Sequence, residues 1–150
     1  MKFKVVPILV FSFFALTMYM LARYLPFGQF EFTGRTILMY FLSGLAVVIT
    51  FWSLILFKIN NTTVDPLNPN KTTHLVTNGI YGFSRNPMYL AMLLLLLALG
   101  LFLGNAFNTL LAAAFVMVMN KTQIVPEEAV LGEKFGQEYK LYLKAVRRWF

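Results

Sequence analysis

Two short polar segments, His74 to Tyr89 and Glu127 to Arg148, hold most of the side chains in this sequence that can do chemistry. The first contains the only histidine, an Asn78-Gly79 turn, Tyr81 and an Arg85-Asn86-Pro87 run; the second opens on the only adjacent carboxylate pair, Glu127-Glu128. Gly79 can take positive φ and bring backbone N–H groups close to a ligand. Arg85 can fork onto a carboxylate, Asn86 carries both a donor and an acceptor, and Pro87 pushes Asn86 toward extended backbone. A helix starting at Pro87 aims its N-terminal N–H groups at the same spot, which suits an anion.

Other chemistries lack their residues. With no cysteine, disulfides, thiol nucleophiles and thiolate metal sites are excluded, and one histidine with six acidic residues is too small a ligand supply for a protein-built zinc or di-iron site. No metal is expected, and the chemistry has to come from a borrowed cofactor or a few charged side chains. The net charge of +7 would suit nucleic acid. The basic residues, however, sit at the ends of apolar runs, as topology signals and headgroup contacts do, so no nucleic-acid partner is expected.

The elements that must position these groups are membrane helices. Of the 150 residues, 59% are hydrophobic and 17% aromatic, against roughly 45–50% apolar in an ordinary soluble domain. The expectation is one domain over 1–150, an all-α integral membrane protein with about four transmembrane helices and a C-terminal amphipathic helix. The spans are read at about 5–25, 36–57, 87–103 and 106–125, each long enough or nearly so for roughly 30 Å of hydrocarbon. The charge-free run from Val5 exceeds the apolar region of a signal peptide, and no small-residue cleavage site follows it. Gly44, in the middle of the second run, either admits a close neighbour or is an ordinary membrane-helix glycine. The loop 58–86 carries turn signals at Asp65-Pro66, Asn68-Pro69-Asn70 and Asn78-Gly79. Only Gly104-Asn105 separates the third and fourth runs, which read as a hairpin, with a re-entrant hairpin as the alternative and Lys121 snorkelling at the end.

From Pro126 a new helix is expected over 126–149, with Pro at its first position and the Glu pair in its first turn. Leu131, Phe135, Tyr139, Tyr142, Val146 and Trp149 fall on one face at spacings of three and four, and Lys134, Lys140, Lys144 and Arg147 fall largely off it. With the N-terminus inside, eleven of the 13 basic residues share one side (Lys2, Lys4, Lys58, Lys71, Arg85, Lys121, Lys134, Lys140, Lys144, Arg147, Arg148), leaving Arg23 and Arg35 on the other. That asymmetry places both termini and the loop in the cytoplasm, in a multi-pass protein of the cell (plasma or inner) membrane. Both polar segments then face the same compartment.

Taken singly, these residues have plainer explanations: Arg85 as a headgroup anchor, Tyr81 and Tyr89 as interfacial belt residues, the Glu pair as first-turn acids. Jointly they form a pattern. His74-Leu75-Val76-Thr77-Asn78-Gly79-Ile80-Tyr81, then Arg85-Asn86-Pro87-Met88-Tyr89, resembles the signature of the isoprenylcysteine carboxyl methyltransferase family. Glu127-Glu128, Leu131, Phe135-Gly136, Tyr139, Tyr142, Val146 and Arg148-Trp149 resemble its C-terminal block, and two spaced blocks are more specific than either alone.

The resemblance implies an integral membrane methyltransferase that binds S-adenosylmethionine in a cytoplasm-facing pocket without a Rossmann-type fold, and shares motifs with phospholipid N-methyltransferases. It implies that His74, Leu75, Val76, Gly79, Tyr81, Arg85, Asn86, Pro87, Tyr89, Glu127 and Glu128 surround the cofactor, with Arg148 toward the methyl acceptor as the catalytic residue. The acceptor would be hydrophobic or amphiphilic, offering a carboxylate, a thiol or a lipid amine, and would enter from the bilayer. Asn86 stands where many members have His, and the chain is shorter in its N-terminal half than the eukaryotic enzymes. Two other functions fit parts of the pattern. NADPH-dependent sterol-type membrane reductases carry a similar Gly-x-Tyr and Arg-x-Pro-x-Tyr segment, although a Glu pair repels dinucleotide phosphates. A non-catalytic membrane scaffold would bind neither cofactor.

Overall fold

The computed structural model describes residues 6–25, 27–61 and 72–150. Lys2, Lys4, Lys71 and the turn signals Asp65-Pro66 and Asn68-Pro69-Asn70 lie outside these described residues. Helix α1 spans Pro7–Tyr24, α2 Arg35–Ile59, α3 Pro87–Leu103, α4 Asn108–Met119 and α5 Val125–Ala145. Pro7 and Pro87 open α1 and α3 at a first-turn position, where a missing N–H costs nothing. α1, α2 and the continuous stretch Asn108–Ala145 are long and apolar enough to cross a membrane. The 17 residues of α3 reach roughly 26 Å at 1.5 Å per residue, just short of a ~30 Å core. This is an all-α, multi-pass membrane protein.

Helix α3 is central, with α2 along one side and α1 and α4 on the other. Two sets of residues hold it there. Val10, Phe14 and Met18, four apart on α1, meet Tyr89, Leu93 and Leu96 of α3 and Ala112, Phe115 and Met119 of α4, all buried. On the opposite side, small residues bring α2 against α3: Ala46 and Ala91 are essentially inaccessible beside Ile49. Close approach of backbones is the usual basis of helix packing in lipid. Gly44 takes no part, since nothing lies within 4 Å of where its Cβ would be; the ordinary-glycine reading holds for it.

The junction after α4 departs from the expectation of a fresh helix at Pro126. Asn120–Ile124 form a π-turn, with the Val125 N–H bonded to the Asn120 carbonyl, and α4 runs through it into α5 without a break. A proline inside an α-helix loses one hydrogen bond and its ring crowds the carbonyl four residues back, here Thr122. The wider turn accommodates both effects. The C-terminal helix also differs: it ends at Ala145 instead of continuing to 149, and it bends at Gly136, whose φ of 50° and ψ of −116° are non-helical. Glycine is the residue able to take that backbone. Val146 is extended (φ −126°, ψ 138°), so Val146 and Trp149 are not on a helical stripe.

Opposite ends of the bundle are closed differently. At one, residues 27–35 fold over the α3–α4 turn: Phe30 N–H donates to the Gly104 carbonyl, Ala106 N–H to the Gly28 carbonyl, and Asn105 Nδ2 to the Phe27 carbonyl. At the other, the starts of α1 and α3, the end of α2 and the beginning of α5 surround a cavity.

Candidate functional site

The cavity has a volume of about 360 Å³, within the range of roughly 300–1,000 Å³ usual for small-molecule sites. Among the described residues every helix except α4 contributes to its wall. Ten of the eleven residues expected around a cofactor line it: His74, Leu75, Val76, Tyr81, Arg85, Asn86, Pro87, Tyr89, Glu127 and Glu128. The exception is Gly79. Its φ is +58°, and a Cβ there would fall 2.9 Å from Leu56 Cδ1 and 3.2 Å from Trp52 Nε1. Glycine is therefore demanded by packing of the Gly79–Gly82 turn on α2, and the turn acts by delivering Tyr81.

Tyr81 is buried, edge-on to Phe57 with ring centroids 5.3 Å apart, and its carbonyl accepts from the Tyr142 hydroxyl at 2.7 Å. Its hydroxyl pairs with Ser53 of α2, and burial pushes the phenol well above its ordinary range, so it stays neutral. His74 is exposed at the cavity's edge. Segment 84–86 is fixed by the chain beyond α5. Arg85 N–H donates to the Arg147 carbonyl at 3.0 Å, while Ser84 Oγ (3.1 Å) and Asn86 Nδ2 (3.0 Å) both donate to the Arg148 carbonyl. Asn86 thus spends its amide N–H on backbone.

The adjacent carboxylates are in different states. Glu128 is taken up by two arginines: Arg148 grips it with Nε at 2.9 Å and Nη2 at 2.7 Å, and Arg85 Nη2 sits 3.1 Å from Oε1. Glu127 accepts one hydrogen bond, from the Tyr89 hydroxyl at 2.5 Å. Glu127 lies just past the fourth apolar run, 106–125. Burial raises its carboxyl to about 7, against the opposing pull of the Tyr89 bond and with a smaller push from the neighbouring Glu128 charge. The Nε of Arg85 is buried and has no hydrogen-bond partner among the described residues. A buried donor left unpaired is costly, and Arg85 belongs to the cavity wall.

Arg148 does not line the cavity; its guanidinium lies behind Glu128 and its side chain is 40% exposed. The Glu128 bond raises its already high pKa further, so it is a fixed cation. Residues that spacing did not single out for the site complete the wall. Leu131, Tyr139 and Tyr142 come from the stripe read as a packing face, turned inward beyond or before the Gly136 bend. Val6, Pro7 and Ile8 from the start of α1, Phe57 from the end of α2, and Met88 and Met92 from α3 add an apolar side. Nothing in their spacing distinguishes them from ordinary span residues.

A helical membrane bundle with a mixed apolar and charged cavity at one end is thus the class of protein that fold and site define. A family model for phospholipid methyltransferases matches residues 34–138, more than half of the chain, and the chain belongs to that family. An uncharacterized protein of Haemophilus influenzae is 50% identical over 62 residues, covering 41% of this chain and 98% of that protein. The protein-S-isoprenylcysteine O-methyltransferase of Schizosaccharomyces pombe is 38% identical over 77 residues, 51% of this chain and 33% of that enzyme. The similarity therefore spans about a third of the yeast enzyme's length. The likeness to isoprenylcysteine methyltransferases read from the two motif blocks holds. No solved structure matches.

Proposed function

We propose that this protein transfers a methyl group from S-adenosylmethionine to an amphiphile that reaches the cavity from the bilayer, with the cavity end of the bundle in the cytoplasm. One observation carries the reading: a single cavity joins an apolar wall (Ile8, Phe57, Met88, Met92) to a charged wall holding Arg85 and Glu127. The family name points to phospholipids and the yeast relative's name to an isoprenylated cysteine. What those acceptors share is a polar reacting head on a long apolar tail.

When bound, S-adenosylmethionine supplies a methyl group on a sulfonium, which leaves as a neutral thioether once the acceptor's lone pair has taken the methyl carbon. The donor set of this chain fits it. Arg85 is the cation on the cavity wall for the methionine carboxylate. Glu127, with one oxygen on Tyr89 and one to spare, balances the ammonium or sulfonium. Glu128 is already neutralised by two guanidiniums, so its part is to hold Arg85 in place. Tyr81 and Tyr139 present aromatic surface able to face the cation. Met88, Met92 and the first turn of α1 shape the side that takes the acceptor tail, and methionine adapts to irregular apolar surfaces. Alignment and exclusion of water then supply most of the acceleration, since a nucleophilic acceptor needs little acid–base help.

Calorimetry in detergent tests the cofactor: S-adenosylmethionine and its demethylated product should bind, and NADPH should bind far more weakly because its phosphates would meet Glu127. Incubation with methyl-labelled cofactor and a total membrane lipid extract should move label into the organic phase. Preferential NADPH binding would overturn the methyltransferase reading in favour of a reductase.

A further inference from the structure

We infer that Arg148 is a positioning residue, and that the extended segment Val146–Trp149 is a strap that sets the geometry of the cofactor pocket from outside it. The inference rests on the methyltransferase reading above for what the pocket binds. The strap itself stands on geometry. After α5 ends at Ala145, the chain leaves helical backbone and its carbonyls at 147 and 148 receive three donors from residues 84–86. The Trp149 indole N–H donates to Asn120 Oδ1 at 3.1 Å, and the ring packs against the main core cluster. The strap therefore touches both the segment before α3 and the π-turn between α4 and α5.

Within it the Arg148 guanidinium makes a two-pronged bond to Glu128 and does not reach the cavity. Glu128 in turn holds Arg85 at 3.1 Å through Nη2. Arg85, which lines the cavity and would meet a ligand there, is thereby fixed by one end of its fork. Arg148 acts on that ligand only through Glu128 and Arg85. On this inference Arg148 acts at a remove from the methyl acceptor, where the motif resemblance implies a place toward it.

The test uses the full chain in detergent with Trp52→Phe as background, so that Trp149, the other of the two tryptophans, reports the strap. Arg148→Met should red-shift Trp149 emission and raise the Kd for S-adenosylmethionine about tenfold, the worth of a charge-assisted bond. Arg148→Lys should not rescue, because a point charge lacks the fork. In a Glu128→Gln background, Arg148→Met should have no further effect on Kd, and acceptor KM at saturating cofactor should be unchanged throughout. An unchanged cofactor Kd with a raised acceptor KM would overturn the inference and place Arg148 on the acceptor. Helix content by circular dichroism separates these results from unfolding. If the starting protein binds no S-adenosylmethionine, the proposed function falls, and the emission comparison alone decides the strap: an unshifted Trp149 overturns it.

Discussion

The two ends of the bundle use polar residues in opposite ways. At the end formed by residues 27–35 and the α3–α4 turn, Asn105 is buried and spends its side chain on backbone, donating to the Phe27 carbonyl and accepting from Phe107 N–H. At the other end, Ser84 and the Asn86 amide N–H are spent in the same manner, but Arg85, whose buried Nε has no hydrogen-bond partner among the described residues, belongs to the wall of a cavity. Asn108 completes the contrast. Both its side-chain polar atoms are buried and unpaired among the described residues, yet it packs against Gly100 and lines no described cavity. A polar residue at a cavity wall can meet a ligand; buried polarity away from one is only a cost.

Substitutions break this comparison most sharply at Arg85. Arg85→Met should weaken S-adenosylmethionine binding about a hundredfold, near the upper worth of a charge-assisted hydrogen bond, and Arg85→Lys should recover little of it. Calorimetry beside a thermal melt reads both, and normal affinity in folded Arg85→Met would reduce the cluster to a membrane anchor. At the opposite end Asn105→Ala should cost about 1–3 kcal/mol of stability by stranding the Phe27 carbonyl and Phe107 N–H, with cofactor affinity untouched. A loss of affinity there would mean that the two ends are coupled.

Glu127 sharpens the comparison through pH. Its carboxyl is raised to about 7, so near neutrality it is partly protonated, and a cationic ligand favours the ionised form. Cofactor affinity should therefore rise as pH increases from about 6 to 8, with a proton released on binding. Calorimetry in buffers of different ionisation enthalpy would count that proton, and Glu127→Gln should flatten the profile. The smallest effects belong to residues outside both networks. Asn108→Leu should leave stability equal or slightly higher, by up to about 1 kcal/mol, because it removes unpaired polar atoms at similar volume. Lys140→Gln, on the exposed side of α5, should leave affinity within about 0.5 kcal/mol. A tenfold loss in Lys140→Gln would show that long-range charge, not the cavity's own contacts, governs binding.

Much of this protein was determined by sequence alone. Long charge-free runs demand helices in lipid, because only a helix satisfies its own backbone there, and prolines at 7 and 87 mark two starts. The motif blocks drew attention to ten residues that share one cavity, since their types and spacing carry chemistry that local backbone preferences express directly. Three things were decided only by tertiary structure. Which carboxylate is spent depends on Arg148 returning from a segment 20 residues further along, and adjacent glutamates look alike in a sequence. The apolar wall comes from the start of α1 and the end of α2, whose residues have the same types as any lipid-facing position and acquire a role only by proximity. The end of α5 at Ala145 brings the carbonyls of Arg147 and Arg148 to donors on Ser84, Arg85 and Asn86, a meeting that no local period encodes. Periodicity records what a segment prefers in isolation, whereas a hydrogen bond offered from 60 residues away is visible only once the chain has folded.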